Sequence, residues 1–206
     1  MATTFYSTIK NYIGVDKLFC MDDISHLRSL SVDALKEEMS RLTKKKQVQR
    51  VAYGIYLIPS GKLTPEALNH EFIRFRFLSH GDEVFGFFGG DGFPCSLLGL
   101  WPEKNLELYS NKITSGKKVI YANSQRITLH KPYVKVTKNN VQLTSFLTYL
   151  TNATEDSLSR YDSVLSNYVR EEHLNALEAS AILPKFPAKT ALRLLSAGFY
   201  KLMWRH

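Results

Sequence analysis

The most informative segment of this sequence is VDALKEEMSRLTKKKQVQRVAYGIYLIP, residues 32–59. Its first half has apolar residues spaced by three, four and three positions, as on one face of a helix: Val32, Leu35, Met39 and Leu42. Ser31 stands directly before it and is a favourable N-cap residue. The segment therefore predicts an amphipathic helix that begins after Ser31.

The second half of the segment predicts a β-hairpin. Val48–Val51 and Ile55–Ile58 are two β-prone runs, and Ala52-Tyr53-Gly54 separates them. Gly54 can supply the left-handed backbone conformation that a short hairpin loop requires. The helix and the hairpin are joined by Lys44-Lys45-Lys46 and Gln47.

Two further helices are predicted upstream. Thr3–Ile13 carries apolar residues at helical spacing, and Gly14 is placed to end that helix. Asp22 is a possible N-cap of a short second helix. Three short helices followed by a hairpin is the element order of a winged helix, so residues 1–60 are predicted to form a winged helix-turn-helix DNA-binding domain.

A winged helix places its third helix in the DNA major groove and its hairpin along the backbone. Arg41 and Lys44 on the polar face of the third helix can neutralise phosphates, and Ser40 can donate a hydrogen bond to phosphate or base. Asp33 and Glu37 on the same face disfavour DNA binding, because carboxylates repel phosphate. The candidate DNA contacts are Ser31, Lys36, Ser40, Arg41, Lys44, Lys45, Arg50 and Tyr53.

Two other interpretations of this region stay open. Lys44-Lys45-Lys46 ends a helix, where cations stabilise the helix dipole by about 0.3–1 kcal/mol, so the run can be a solvated cap. Small helical domains with a hairpin also serve as protein-docking modules, and Asp33 and Glu37 suit that role. The alternative to DNA binding is therefore a protein-interaction module with a vestigial wing.

Residues 61–206 are predicted to form a second domain of the α+β class. Thr64-Pro65 begins a helix, and a glycine-rich stretch follows at residues 86–94. Four short strands and a helix capped by Asn140 are expected next, the strands at Leu106–Tyr109, Val119–Ala122, Arg126–His130 and Tyr133–Val136. From about residue 154 to 206 the pattern indicates helices. On the last one, the residues expected to face inward are Leu192, Leu195, Phe199 and Met203.

The composition excludes several classes of protein. The 206 residues are 44% hydrophobic and 22% charged, as in an ordinary globular chain. No apolar run approaches the ~18 residues of a membrane helix, and residues 1–10 lack the layout of a signal peptide. The two cysteines fit neither a disulfide framework nor a zinc finger, so we expect a reducing cytoplasm and no membrane partner.

The charge balance favours a polyanionic partner. The formal net charge is +8, from 27 basic and 19 acidic residues. Six of the basic residues lie between Lys36 and Arg50. A second group lies on the C-terminal helices, where it can contact DNA, RNA or an acidic protein or be simply solvated: Lys185, Lys189, Arg193, Lys201 and Arg205.

No catalytic constellation is recognised. The chain lacks HExxH, GxSxG and GxxxxGK[ST], and no GxGxxG follows a strand into a helix. The glycine-rich stretch is therefore expected to serve tight packing. A metal-dependent nuclease can be imagined only from Asp82, Glu83, Asp91 and Glu103-Lys104. We predict a protein that is not an enzyme and binds no metal or cofactor.

Two segments are similar to a known family. Met39–Pro59, with Ser40-Arg41-Leu42, Val48-Gln49-Arg50-Val51 and Gly54-Ile55-Tyr56-Leu57-Ile58-Pro59, resembles the recognition helix and wing of the AbiE-type abortive-infection antitoxins. FGGDGFPCSLLGL, residues 88–100, is similar to the small-residue run of their second domain. Leu106–His130 and Phe186–Leu195 resemble the strand pair and closing helix after it. Lys46-Gln47 stands where a lysine-glycine often precedes the wing.

The resemblance implies a specific role. These antitoxins belong to type IV toxin-antitoxin systems and are bacterial transcriptional regulators of phage-defence operons. Their winged helix binds double-stranded operator DNA at inverted repeats and represses its own operon. Their second domain neutralises a co-encoded nucleotidyltransferase-like toxin without a stable complex. No catalytic residue is implied.

Overall fold

The computed structural model describes residues 4–102, 105–122 and 125–204. It has mixed α+β structure, in agreement with the predicted class. The chain divides into two compact units, Met1–Phe75 and Arg76–His206. The division falls later than the boundary expected after residue 60, because the helix at residues 65–73 is grouped with the first unit.

Four α-helices are described in the first unit: α1 (Phe5–Ile13), α2 (Met21–Ile24), α3 (Val32–Lys44) and α4 (Pro65–Ile73). The side chains of Thr4, Ser31 and Thr64 cap α1, α3 and α4, each by accepting a hydrogen bond from a backbone N–H. The predicted cap of α2 is wrong. Cys20 holds the N-cap position, and Asp22 lies in the first turn, where the helix dipole favours a carboxylate.

An antiparallel sheet completes the first unit, in the order β1 (Leu18–Cys20), β3 (Ile55–Leu57), β2 (Gln49–Ala52). The hairpin β2–β3 was predicted, and Gly54 in its turn has φ +72°. Strand β1 was not predicted. It pairs with β3 so that Phe19 lies opposite Tyr56.

The core of this unit joins the inner faces of α1 and α3 to the sheet. Its buried residues are Phe5, Ile9, Phe19, Ile24, Leu35, Met39, Leu42, Val48, Tyr56 and Ile58. Val32 was expected to face inward but is 67% exposed. It is the first residue of α3, and the buried stripe begins one turn later, at Leu35.

The second unit contains a short hairpin, β4 (Ser79–His80) with β5 (Glu83–Val84), and a four-stranded sheet. The sheet has the order β6 (Gly86–Gly89), β7 (Leu106–Ser110), β9 (Gln125–His130), β8 (Lys117–Ala122). Strands β7 and β9 are parallel, and the other two pairs are antiparallel.

Three of the four strands expected after the glycine-rich stretch are confirmed, and the strand at Tyr133–Val136 is wrong. Tyr133–Val136 forms no β-ladder with a described strand. The Asn111 side-chain amide instead donates to Val136 O at 2.7 Å and accepts from Val136 N at 2.9 Å. A side chain thus satisfies the backbone groups that a neighbouring strand would otherwise pair.

Six helices are described in the second unit: α5 (Gly92–Leu97), α6 (Val141–Asn152), α7 (Glu155–Glu171), α8 (Ala176–Ile182), α9 (Ala188–Ser196) and α10 (Phe199–Met203). Helix α6 is central, since every residue from Leu143 to Thr151 is buried. None of the described helices combines the length and apolar character needed to cross a membrane.

The inward face predicted for the last helix is confirmed at Phe199 and Met203, which are buried, and wrong at Leu192 and Leu195, which are 66% and 59% exposed. The prediction assumes one continuous helix, but Gly198 at φ +76° separates α9 from α10 and changes the phase of the buried stripe. In α9 that stripe is Thr190 and Leu194, and the Thr190 hydroxyl bonds the Thr151 hydroxyl at 2.8 Å.

Candidate nucleic-acid interface

The eight predicted DNA contacts all belong to the first unit, and each is exposed. Six lie on α3 or at its ends, and two lie on the hairpin: Ser31, Lys36, Ser40, Arg41, Lys44 and Lys45, then Arg50 and Tyr53. The fold therefore presents all of these side chains to solvent on two consecutive elements of one unit.

Ser31 has a structural role in this surface. Its hydroxyl oxygen accepts a hydrogen bond from Ala34 N at 3.2 Å and so caps α3. The hydroxyl proton can still be donated outward, because the capping bond uses only the oxygen lone pair.

Two of the helix cations already have carboxylate partners. Lys36 Nζ lies 2.9 Å from Asp33 Oδ1, and this hydrogen bond raises the pKa of Lys36. Arg41 Nη2 lies 2.5 Å from Glu38 Oε1. Exposed ion pairs contribute only about 0–1 kcal/mol, so a phosphate can replace either carboxylate at small cost. The sequence pointed to Glu37 as the second opposing acid, whereas the paired residue is Glu38.

The end of α3 is a cluster of cations. Lys44, Lys45 and Lys46 are all exposed, and within the described residues no carboxylate pairs with them. The chain turns there because Lys46 adopts φ +57°, and Gln47 N donates to Leu42 O at 3.1 Å. This left-handed residue closes the helix and directs the chain into β2.

The hairpin presents an arginine stacked on a tyrosine. Arg50 Cζ lies 5.2 Å from the centroid of the Tyr53 ring, a cation–π distance, and Tyr53 is 90% exposed. Arg50 also lines a cleft together with Thr43 of α3 and Lys46, so the hairpin and the end of α3 share a surface.

A cleft of about 440 Å³ lies between the end of α3 and the hairpin. Its lining residues are Thr43, Lys46, Val48, Gln49, Arg50 and Pro59. Lys46, Gln49 and Thr43 were not among the predicted contacts. Lys46 could have been found from the lysine run at 44–46. Thr43 and Gln49 gave no such signal, because they line the same cleft only through the turn at Lys46.

The residues considered for a metal nuclease do not converge. Asp82 is fully exposed, 4.0 Å from Lys138 Nζ, and Asp91 accepts a hydrogen bond from Ser157. Within the described ranges, Asp82, Glu83 and Asp91 do not bring three ligand atoms within 4.8 Å of one another. Glu103 and Lys104, and likewise Arg205 of the basic tail, lie outside the described residues.

No protein-family model, curated protein or solved structure matches this chain.

Proposed function

We propose that this protein is a DNA-binding transcriptional autorepressor and antitoxin of the AbiE type, in which the first unit is a winged helix. The observation that carries the proposal is the cluster of exposed cations around the cleft between α3 and the β2–β3 hairpin. Its DNA partner is a double-stranded operator, with inverted repeats as the family resemblance implies.

The order and pairing of elements support a winged helix. Three helices precede a two-stranded hairpin, and β1 extends the hairpin to a three-stranded antiparallel sheet. In this arrangement α3 is the recognition helix, and β2 and β3 form the wing.

The distribution of charge supports phosphate contacts at the wing and at the end of α3. Lys44, Lys45, Lys46 and Arg50 carry no carboxylate partner within the described chain, so they bind phosphate without first breaking an ion pair. Arg41 adds a fifth contact, because a phosphate can replace its exposed partner Glu38. At about −0.9 per neutralised phosphate, five contacts give a slope of log K against log salt near −4.5.

The test is fluorescence anisotropy of the full chain with the DNA upstream of its own operon. The double substitution Arg41→Ala with Arg50→Ala is expected to weaken binding at least about tenfold and to reduce the steepness of the salt slope by about 1.8, since two phosphate contacts are lost.

The matched control is Lys10→Ala with Lys17→Ala, which removes two exposed cations of the same unit outside the proposed surface. Its affinity and salt slope are expected to equal those of the wild type. Absence of binding at low salt, or equal losses in the two double variants, contradicts the proposed interface.

The antitoxin part of the proposal depends on the resemblance of residues 88–100 and of the segments that follow them. Co-expression with a nucleotidyltransferase-like toxin, the partner that the resemblance implies, tests it. The wild type and the Arg41→Ala, Arg50→Ala variant are both expected to protect cells, because neutralisation is assigned to the second unit. Loss of protection in the DNA-binding variant contradicts this separation.

The second candidate function is a protein-interaction module. The exposed Leu192 and Leu195 on α9, next to the exposed Lys189, favour it. Co-purification with a neighbouring gene product, combined with no retardation of operator DNA, would select it over the DNA-binding regulator.

A further inference from the structure

The second unit contains a pocket that the DNA-binding proposal does not use. Its volume is about 660 Å³, within the range of roughly 300–1,000 Å³ typical of small-ligand sites. The glycine-rich segment at Gly89–Gly92 forms one wall, and β7, β9 and the junction between α6 and α7 supply the remaining lining residues. The pocket lies wholly within residues 76–206.

Glycine is required at this wall for steric reasons. A Cβ on Gly89 would lie 2.5 Å from a ring carbon of Tyr109, and one on Gly90 would lie 3.2 Å from Glu107 Oε2. Any larger residue would displace the Tyr109 ring or the Glu107 carboxylate. The glycines thus allow these two side chains to sit against the backbone at the pocket wall.

The pocket has negative charge, in contrast to a chain with a net charge of +8. Asp91 and Glu107 both line it. Glu107 is half-buried, and in the described part of the chain its carboxylate has no hydrogen-bond or ion-pair partner. The one described lining residue that can carry positive charge is His130, and burial lowers the pKa of its imidazole. Near neutral pH the carboxylates are therefore not neutralised by this histidine.

The remaining polar groups are held in fixed positions. Asp91 Oδ1 accepts from the Ser157 hydroxyl at 2.5 Å, and that hydroxyl also bonds the Tyr149 hydroxyl at 2.9 Å. Asn152 donates to the Tyr109 hydroxyl at 3.1 Å. Tyr109 is stacked between Phe87 and His130, with ring centroids 5.4 and 4.8 Å away. Hydrogen bonds and ring stacking therefore fix the pocket before any ligand arrives.

The negative charge of the pocket and the positions of its ligand atoms disfavour some classes of ligand. Two carboxylates repel phosphate and carboxylate groups. A metal ion shared by the acidic and imidazole groups of this pocket is disfavoured, because no three of their ligand atoms, among the described residues, lie within 4.8 Å of one another. An organic cation is larger than a metal ion and carries several N–H donors, which suits a pocket lined by two carboxylates. It can also supply a donor near His130, whose Nε2 has no partner in the described structure.

We propose that this pocket binds an organic cation through a guanidinium or ammonium group that pairs with Glu107 and reaches Asp91. The cation comes either from a free small molecule or from an arginine or lysine side chain of a partner protein. The pocket shares no residue with the proposed DNA-binding surface, so the cation-binding proposal can be tested separately from the proposed function.

The experiment is an NMR titration of the full chain with N-butylguanidinium and with its neutral isostere N-butylurea, at constant chloride concentration. We expect saturable shifts of the backbone amides of Gly89 and Gly90 and of the Asn152 side-chain amide with the cation, and no saturable shift with the urea. Equal shifts with both compounds, or non-saturable shifts with the cation, overturn the proposal.

The variant Glu107→Gln keeps the side-chain shape and removes the charge. It is expected to weaken binding of N-butylguanidinium at least tenfold. Glu178→Gln, an equal charge change on the exposed part of α8, is the matched control and is expected to bind like the wild type. Equal affinity of Glu107→Gln and wild type overturns the proposal. If the melting temperature shows that Glu107→Gln is unfolded, the comparison of cation with urea on the wild type decides.

A capped Gly-Arg-Gly peptide separates the two sources of the cation. Binding of the peptide at least as tight as that of N-butylguanidinium supports a partner's arginine side chain. Binding of the small cation alone supports a free metabolite. Failure of both probes to bind overturns the pocket as a cation site.

Discussion

Lys46 adopts a backbone conformation that usually favours glycine. Its φ of +57° follows the C-cap of α3 and allows Gln47 N to bond Leu42 O. A lysine therefore ends this helix where a glycine would be unstrained, and its side chain adds a cation to the cleft. A non-glycine residue in the left-handed region costs roughly 1–2 kcal/mol.

Replacing Lys46 by glycine is expected to stabilise the first unit. The substitution removes the left-handed strain of about 1–2 kcal/mol. Glycine also gives the unfolded chain more conformational freedom, which lowers the free energy of unfolding by about 0.5–1 kcal/mol. The net stabilisation is therefore about 0.5–1 kcal/mol. Urea denaturation of the full chain, followed by circular dichroism, measures the change in the free energy of unfolding.

Lys45→Gly is the control for this prediction. Lys45 has φ −77°, which any residue adopts, so the same loss of charge should give no stabilisation. If Lys46→Gly is no more stable than Lys45→Gly, strain at residue 46 is not the cause of any difference.

The polar face of α3 combines cations with carboxylates that partly cancel them. Asp33 forms an ion pair with Lys36, and Glu38 forms one with Arg41. Lys36 and Arg41 are therefore less available to phosphate than the lysines at the end of the helix. Asp33 and Glu38 therefore have an intrahelical role as ion-pair partners.

Removing the charge of Asp33 is expected to tighten DNA binding. Asp33→Asn frees Lys36 for a phosphate and removes one repulsion, so the dissociation constant should fall by roughly three- to tenfold at low salt. Glu66→Gln, an exposed carboxylate in the first turn of α4, is the control and should leave the affinity unchanged. Fluorescence anisotropy at two salt concentrations checks this, and unchanged affinity of Asp33→Asn contradicts a phosphate contact by Lys36.

A buried hydroxyl links helix α7 to the glycine-rich segment. Ser157 bonds both Asp91 and Tyr149, and it is 7% exposed. Its backbone N–H also donates to the Thr154 side chain that caps α7. The hydroxyl thus connects three elements, and its loss leaves two polar groups without their shared partner.

Ser157→Ala is expected to destabilise the second unit by about 1–3 kcal/mol, the cost of leaving polar groups unsatisfied where water has poor access. Ser180→Ala removes a hydroxyl that bonds Tyr200 on the exposed side of α8, and should cost less than about 0.5 kcal/mol. Thermal unfolding of the two variants gives the comparison. A Ser157→Ala protein as stable as Ser180→Ala would show that the bonded pair contributes no stability.

At the scale of the whole molecule, the two units carry different kinds of surface. The first has a group of exposed cations next to one cleft on a helix and hairpin. The second has exposed lysines around its sheet and on its C-terminal helices, and an acidic pocket beside its sheet. The net charge of +8 therefore describes neither unit well, and the location of the charges decides which partner each surface fits.

The buried tyrosines of the second unit predict a loss of stability at alkaline pH. Burial raises the pKa of Tyr149 and of Tyr168 to about 12 each, from an ordinary value near 10. The unfolded chain therefore releases these protons at lower pH than the folded one. Their contribution to stability is complete below pH ~10 and is lost as the pH rises towards 12.

Absorbance at 295 nm, which reports tyrosinate, should show one group of tyrosines titrating near pH 10 and another only near or above pH 12 or on unfolding. Tyr168→Phe should reduce the loss of stability between pH 10 and 12, whereas Tyr53→Phe, at an exposed position, should not. Titration of all the tyrosines together near pH 10 in the folded protein would contradict the burial argument.

The sequence by itself determined the features that depend on neighbouring residues. The caps at Ser31 and Thr64, the end of α1 at Gly14 and the turn at Gly54 each follow from a few adjacent side chains and the conformations open to them. These local preferences also yielded the α+β class and the position of the basic helix and hairpin.

Only the tertiary structure decided what depends on residues distant in the sequence. The pairing of β1 with β3, the parallel pairing of β7 with β9 and the exposure of Leu192 and Leu195 follow from packing that no local pattern encodes. The pocket is the clearest case, since Asp91, Glu107 and Ser157 become neighbours only when the sheet and α7 assemble. Long-range contacts close large loops and are selected by burial of the whole core, so they cannot be inferred from the spacing of residues along the chain.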